Sequence, residues 1–349
     1  LFKRSKTVVG LDVGSAVVKA VELTLEGSEP VLTGFGRAEV TAEGGAPAAV
    51  SQALASLRGR ARRCVTGVGG QSTVVRYVSM LPMSPEELQQ AVRFEADKFL
   101  PFELDEVVLD CEQLGDSAPG SGEGTKVPVL VAACRRQLIE ERVGLVEGAG
   151  LTPLAIDLDL FALANAWELC GLPEEELQDL DPGPVPPAVA LVDVGATRTS
   201  INVLRAGRTC FSREIAIGGD DMTQAVARRL GVELHEAELI KCDGELHEAE
   251  VASSIAPVLE DLASELALSI DYVEHHEGVE VRELLLSGGG SLAAGAAAAI
   301  EQATGRPARN WNPLEGLRVE AEGLDLDSLE LEAPSLVVAV GLASRVRIR

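Results

Sequence analysis

Short apolar runs of strand period alternate along the chain with amphipathic helical stretches, which predicts a mixed α/β fold. Residues 7–40 read as three short strands, 46–60 as an alanine-rich helix, 62–67 and 74–81 as further strands. At 86–100 a helix has a clear start: Ser84 at the N-cap, Pro85 in the first position, and Glu86 and Glu87 in the first turn. Strands at 106–113 and 126–134 flank a glycine-rich loop at 115–124. A helix at 135–148, a strand at 154–157 and a helix at 158–170 follow. Prolines at 182, 184, 186 and 187 mark a linker. Beyond it the pattern predicts strands at 199–204 and 209–216, and helices at 220–230, 233–241 and 253–275. A strand at 283–286, a helix at 292–304 and a tail helix from about 334 complete the chain.

One local pattern occurs twice. An apolar strand delivers an Asp, and a Gly follows after one residue: Asp12-Val13-Gly14-Ser15 near the start, and Asp193-Val194-Gly195-Ala196-Thr197-Arg198-Thr199 past the middle. Each carboxylate is expected at a tight turn beside backbone N–H groups. Two such turns face to face can take phosphate oxygens on N–H groups and position Mg²⁺ with the carboxylates. A third turn, Ser287-Gly288-Gly289-Gly290-Ser291, follows the buried-strand pattern Leu284-Leu285-Leu286 and is expected to open the next helix. Glycine there permits close approach of a flat ring or a phosphate.

Other candidates keep two readings on spacing alone. Glu238 and Lys241, three apart on one helical face, are a surface ion pair or a clamp on a ribose and a base edge. Lys19 is a solvated strand lysine or a point charge for a phosphate. Asp157 and Asp159 are helix-capping acids or the positioners of an attacking water.

Composition narrows the partners. With 349 residues the chain can bury a sizeable core in two lobes or domains. Its formal net charge of −25, without a clustered basic surface, argues against nucleic acid. Cys64, Cys111, Cys134, Cys170, Cys210 and Cys242 are scattered without a C-x-x-C pair, which fits reduced thiols in a cytoplasmic protein. No apolar stretch reaches the roughly 18 residues of a membrane span, so membrane association is expected through a partner rather than by direct insertion.

Taken in order, the Asp12 turn with Lys19, the Asp193 turn, Glu238 with Lys241, the triglycine turn and the apolar tail at 337–343 resemble the five motifs of the actin-like ATPase superfamily. The opening Phe2-Lys3-Arg4, the run Val18-Lys19-Ala20-Val21-Glu22-Leu23, and Met80-Leu81-Pro82-Met83 with Phe94-Glu95-Ala96-Asp97-Lys98-Phe99-Leu100-Pro101-Phe102 are similar to the PilM family of type IV pilus assembly. The resemblance implies an α/β, actin-like (ribonuclease H-like) two-lobed ATPase fold with an inserted α+β subdomain of the FtsA type. Residues 1–78 would form the first lobe, 79–153 the insertion, and 154–187 the return to the first lobe. Residues 188–333 would form the second lobe, and 334–349 a helix returning to the first.

By the same resemblance Asp12 and Asp193 would serve Mg²⁺. Gly14, Ser15, Lys19, Gly195, Ala196 and Thr199 would line the phosphates of ATP, Glu238 and Lys241 the nucleoside, and Gly288, Gly289 and Gly290 the base side of the α-phosphate. PilM-like proteins bind ATP and capture the N-terminal cytoplasmic peptide of PilN in a groove between first lobe and insertion. They link the inner-membrane PilN/PilO complex to the pilus motor ATPases. No clear Gln or Glu stands at the hydrolytic position, so ATP turnover is expected to be weak or absent. The alternatives are an FtsA-like scaffold that self-associates into filaments and a small-molecule kinase of the same superfamily.

Overall fold

In the computed structural model the described residues are 6–26, 29–57, 61–114, 126–171, 187–243, 247–320 and 325–347. The loop expected at 115–124 and the linker before Pro187 lie outside them. The strands are β1 (Lys6–Val13), β2 (Val17–Glu26), β3 (Glu29–Glu39), β4 (Arg63–Val68), β5 (Thr73–Met80), β6 (Val107–Gln113) and β7 (Val127–Arg135). Then come β8 (Thr152–Leu158), β9 (Pro187–Val194), β10 (Thr199–Arg205), β11 (Arg208–Ile215), β12 (Glu280–Ser287), β13 (Ala308–Asn310) and β14 (Arg318–Val319).

Among the described residues they form three sheets, in the orders β14-β3-β2-β1-β4-β8, β11-β10-β9-β12-β13 and β5-β7-β6. The chain divides into two compact units, one of residues 1–67 and 149–349 carrying the first two sheets, and one of Val68–Gly148 carrying the third.

Side-chain alternation along the strands decides what lies between the first two sheets. In β9, Ala188, Ala190, Val192 and Val194 face an outer core with the helices Gly219–Leu230, Glu248–Glu277 and Ala296–Thr304. Leu191 belongs instead to a second core, shared with Val8, Val21 and Leu23 of the first sheet and Leu285 of β12. That second core is filled by the helices Asp159–Cys170 and Val337–Ala343, which lie between the sheets. Two glycines make the packing close. A Cβ on Gly10 would lie 2.0 Å from the Ala339 carbonyl oxygen, and one on Gly341 would lie 1.8 Å from that of Ala162.

The smaller unit is an antiparallel sheet covered by the helix Pro85–Glu95, whose Leu88 and Val92 pack on Val129 and Val131. The expected cap is present: Ser84 Oγ accepts from the Glu87 N–H at 3.3 Å and Glu87 Oε2 accepts from the Ser84 N–H at 2.9 Å.

Three expectations shift. The insertion begins at Val68 and ends at Gly148 rather than spanning 79–153, because β5 is zipped to β7 over its whole length. The helix expected at 253–275 runs Glu248–Glu277. The triglycine turn does not open an α-helix: it forms a 3-10 turn at Gly289–Leu292, and the helix starts only at Ala296.

Candidate functional site

The alternation that puts Val8 and Gly10 toward the inner helices puts Asp12 on the same side at the end of β1. In β9 the inner row passes through Leu191 and ends at Asp193. Both D-x-G carboxylates therefore finish rows that face the space between the sheets. Lys19 lies opposite Asp12 in the β1–β2 register and donates to Asp12 Oδ2 at 3.2 Å. Burial works against charge on this lysine, but the attraction of Asp12 and then of Asp193 outweighs it, and the ammonium titrates above the ordinary value. Burial pushes the Asp193 carboxyl up and Asp12 adds to the rise, while Lys19, Ser287 and Arg198 hold it back. Lys19 is thus the shared counter-charge of two carboxylates from two sheets.

The other turns gather on Asp193. Ser287 pairs with Asp193 in the parallel β9–β12 register and donates its hydroxyl to Asp193 Oδ1 at 2.9 Å. Past it, a Cβ on Gly288 would lie 2.4 Å from the Val194 carbonyl oxygen, and one on Gly290 would lie 2.5 Å from Val194 Cγ1. These two glycines let the turn press onto the second D-x-G strand. A Cβ on Gly289 would meet nothing within 4 Å, so its exposed face is open to a ligand.

Glu238 and Lys241 join through Gly219. The Gly219 N–H donates to the Gly195 carbonyl at 2.9 Å, and Lys241 Nζ donates to the Gly219 carbonyl at 3.1 Å. Lys241 also donates to Thr223 Oγ1 at 2.7 Å and pairs with Glu238 Oε2 at 2.7 Å, and the Thr223 hydroxyl donates to that same oxygen. Burial alone would raise the Glu238 carboxyl, but its bonds to Lys241 and Thr223 prevail and lower it. The pair is a braced part of the second turn rather than an isolated surface contact.

The geometry also shows which of the remaining candidate groups are engaged within the protein. The Gly14 N–H donates to the Val17 carbonyl at 3.2 Å, the Gly195 N–H to that of Arg198 at 2.9 Å, and the Gly288 N–H to that of Pro334 at 2.9 Å. The first two donors close the protein's own turns and the third is taken by a carbonyl of a distant segment, so none of the three points at a ligand. Thr199 is fully buried and donates to the Ile217 carbonyl at 2.8 Å. It shares the parity of Ile201 and Val203, which face the outer core, so it backs the turn from behind. Ser15 is exposed at the first turn, and the Ala196 carbonyl accepts the Asp220 N–H at 2.7 Å.

Asp157 and Asp159 part company. Asp157 Oδ2 accepts from Arg345 Nη2 at 2.7 Å and from Asn165 at 3.0 Å, and Oδ1 accepts from the Leu158 N–H at 3.0 Å. It is a tethered structural carboxylate. Asp159 opens the inner helix and reaches Arg198 of the second turn at 3.4 Å, so of the two it is the one beside the site. Ser287 and Arg198 entered no role in the sequence reading, although Ser287 was visible as the residue that ends a buried strand before glycine.

Two sheets with their helices between them, joined by paired D-x-G turns and a glycine-rich third turn, define an actin-like ATPase fold. The same fold is seen in ethanolamine utilization protein EutJ from Carboxydothermus hydrogenoformans, at a TM-score of 0.56 and 18% identity over 97% of this chain and 89% of that one. A family model described as type IV pilus assembly protein PilM matches residues 10–347, and the chain belongs to that family. It is also similar to a solved PilM-PilN type IV pilus biogenesis complex, with a TM-score of 0.83 and 29% identity over 98% of this chain and 99% of that one. Among curated relatives, EutJ of Escherichia coli (strain K12) is 30% identical over 31% of this chain and 35% of its own length. EutJ of Salmonella typhimurium is 27% identical over 49% of this chain and 61% of its own length, so the chain spans less than two thirds of either relative. Among the described residues no helix is long and apolar enough to cross a membrane.

Proposed function

We propose that the chain is an ATP-binding adaptor of type IV pilus assembly. It takes the N-terminal cytoplasmic peptide of PilN and links the inner-membrane PilN/PilO complex to the pilus motor ATPases at the cytoplasmic face. The observation that carries the nucleotide half is the convergence of Asp12, Lys19, Asp193 and the Ser287–Gly290 turn. The PilN half is supported by similarity to the PilM-PilN complex over nearly the full length of both chains. The compact inserted unit supports it too, since Phe94 stands 89% exposed there. A large aromatic left in water fits a protein contact.

The donor set fits Mg²⁺ carried in with a nucleotide. Among the described residues no group of three or more His, Cys, Asp or Glu side chains could hold a metal ion alone. Mg²⁺ keeps several waters and binds through one or two carboxylates plus phosphate oxygens. Asp12 and Asp193 would supply those carboxylates, with Lys19 as the phosphate's counter-charge. Turn N–H groups beyond the closed glycines, at Ser15 and Ala196, would meet phosphate oxygens, the open face of Gly289 would meet the nucleoside, and Glu238 and Lys241 would flank it. When bound, Mg²⁺ neutralises phosphate charge. Asp159 is held by Arg198 instead of being left to orient a water, which is consistent with slow or absent hydrolysis.

The test is titration of ATP with Mg²⁺ into the protein and into Asp12→Ala and Asp193→Ala variants whose circular dichroism is unchanged. Both variants should lose Mg-ATP binding. Wild-type affinity in both would sink the site.

A further inference from the structure

We infer that Ser287 is a positioning residue that sets the Mg²⁺ dependence of nucleotide binding by fixing the Asp193 carboxylate; the inference rests on the nucleotide reading above. Ser287 is 1% exposed and touches no open face of the site, so it cannot itself be a contact for a ligand. Its one hydroxyl proton has two acceptors in reach, Asp193 Oδ1 at 2.9 Å and the Val192 carbonyl at 3.3 Å, and the nearer oxygen takes it. That bond takes one lone pair of Oδ1 and holds the carboxylate in one orientation, with its remaining lone pairs left to serve a metal.

The serine has little freedom to move away. Just before it, the Leu286 carbonyl accepts from the Trp311 N–H at 2.8 Å; just after it, the Gly288 N–H donates to the Pro334 carbonyl at 2.9 Å. Gly288 then leaves the strand at φ 82° and ψ 156°, a conformation essentially reserved for glycine. The hydroxyl is therefore presented to Asp193 by a backbone pinned on both sides. The same residue starts the triglycine turn, so one hydrogen bond ties the nucleoside side of the site to its metal side. Removing a partner that orients a metal-binding carboxylate typically weakens metal affinity by about 10- to 100-fold.

The experiment measures binding of a fluorescent ATP analogue to the wild type, Ser287→Ala and Ser287→Thr across a Mg²⁺ titration and in EDTA, with a thermal melt of each protein. Ser287→Ala should lose less affinity for the analogue in EDTA than it loses in Mg²⁺. Its half-saturating Mg²⁺ concentration should rise about 10- to 100-fold, and Ser287→Thr should restore it. An unchanged Mg²⁺ dependence in Ser287→Ala overturns the inference and leaves the nucleotide site standing. An equal loss with and without Mg²⁺, together with a lower melting temperature, also overturns it, because that is the mark of a purely structural hydroxyl. A wild type that binds no analogue removes the nucleotide reading itself, and the inference with it.

Discussion

The three glycines of the Ser287–Ser291 turn differ in what they do, and alanine at each of two neighbours separates fold from ligand. At Gly288 the backbone stands at φ 82° and ψ 156°. A Cβ would lie 2.4 Å from the Val194 carbonyl oxygen and 2.7 Å from its carbon, both backbone atoms of a central strand that cannot yield cheaply. Strain of about 1–3 kcal/mol for the conformation and about 1–3 kcal/mol for the forced contact give Gly288→Ala a cost of about 2–6 kcal/mol. Gly289 is exposed and has nothing within 4 Å of its Cβ position, so Gly289→Ala should change stability by no more than about 0.5 kcal/mol. Its methyl would instead occupy the face offered to the nucleoside. Urea denaturation followed by circular dichroism reads the first effect, and binding of a fluorescent ATP analogue reads the second. The expected pattern is a large stability loss at 288, and at 289 weakened nucleotide binding on an unperturbed fold. Wild-type affinity in Gly289→Ala would refute the ligand's approach over that face, and wild-type stability in Gly288→Ala would refute the close packing.

Other predictions follow from the same contacts. Arg345→Ala should lower stability by about 3 kcal/mol, because it strips the cation from Asp157, 7% exposed, while ATP affinity stays unchanged; an affinity loss without a stability loss would show that Asp157 belongs to the site after all. Lys19 titrates above its ordinary 10.5, so the stability it contributes is complete below that pH and is lost as the pH rises through the raised value. A pH series of thermal melts should show this alkaline loss in the wild type and not in Lys19→Met. Burial pushes the Cys64 thiol up to about 12, so at pH 8 it should resist a disulfide reagent until the protein is denatured. Exposed Cys242, which donates to Glu238 Oε1 at 3.5 Å, should react in the native protein and slow down when Mg-ATP is bound.

Much of this arrangement could be read from the chain because its signals are local. The D-x-G turns, the triglycine turn and the Ser84 cap are each set by a few adjacent residues, and strand parity carries Asp12 and Asp193 to facing positions. What stayed hidden depends on pairing between distant segments. Ser287 meets Asp193 only through the β9–β12 register, 94 residues apart, and Arg345 meets Asp157 across 188. The pairing of β5 is hidden for the same reason: it alternates like any edge strand, and nothing within it tells that its partner is β7 rather than β4. Thr199 was drawn into the site by its place in the motif, although the parity of Ile201 and Val203 already pointed it toward the outer core. The closed N–H groups of Gly14 and Gly195 were equally invisible, since composition allows a glycine turn but does not say which amide it leaves open.

The adaptor account is tested most directly by fluorescence anisotropy of a labelled PilN N-terminal peptide titrated with this protein, with and without Mg-ATP. The account predicts saturable binding at micromolar affinity or better, with an affinity that shifts when Mg-ATP fills the site. Absence of saturable binding in both conditions would contradict it.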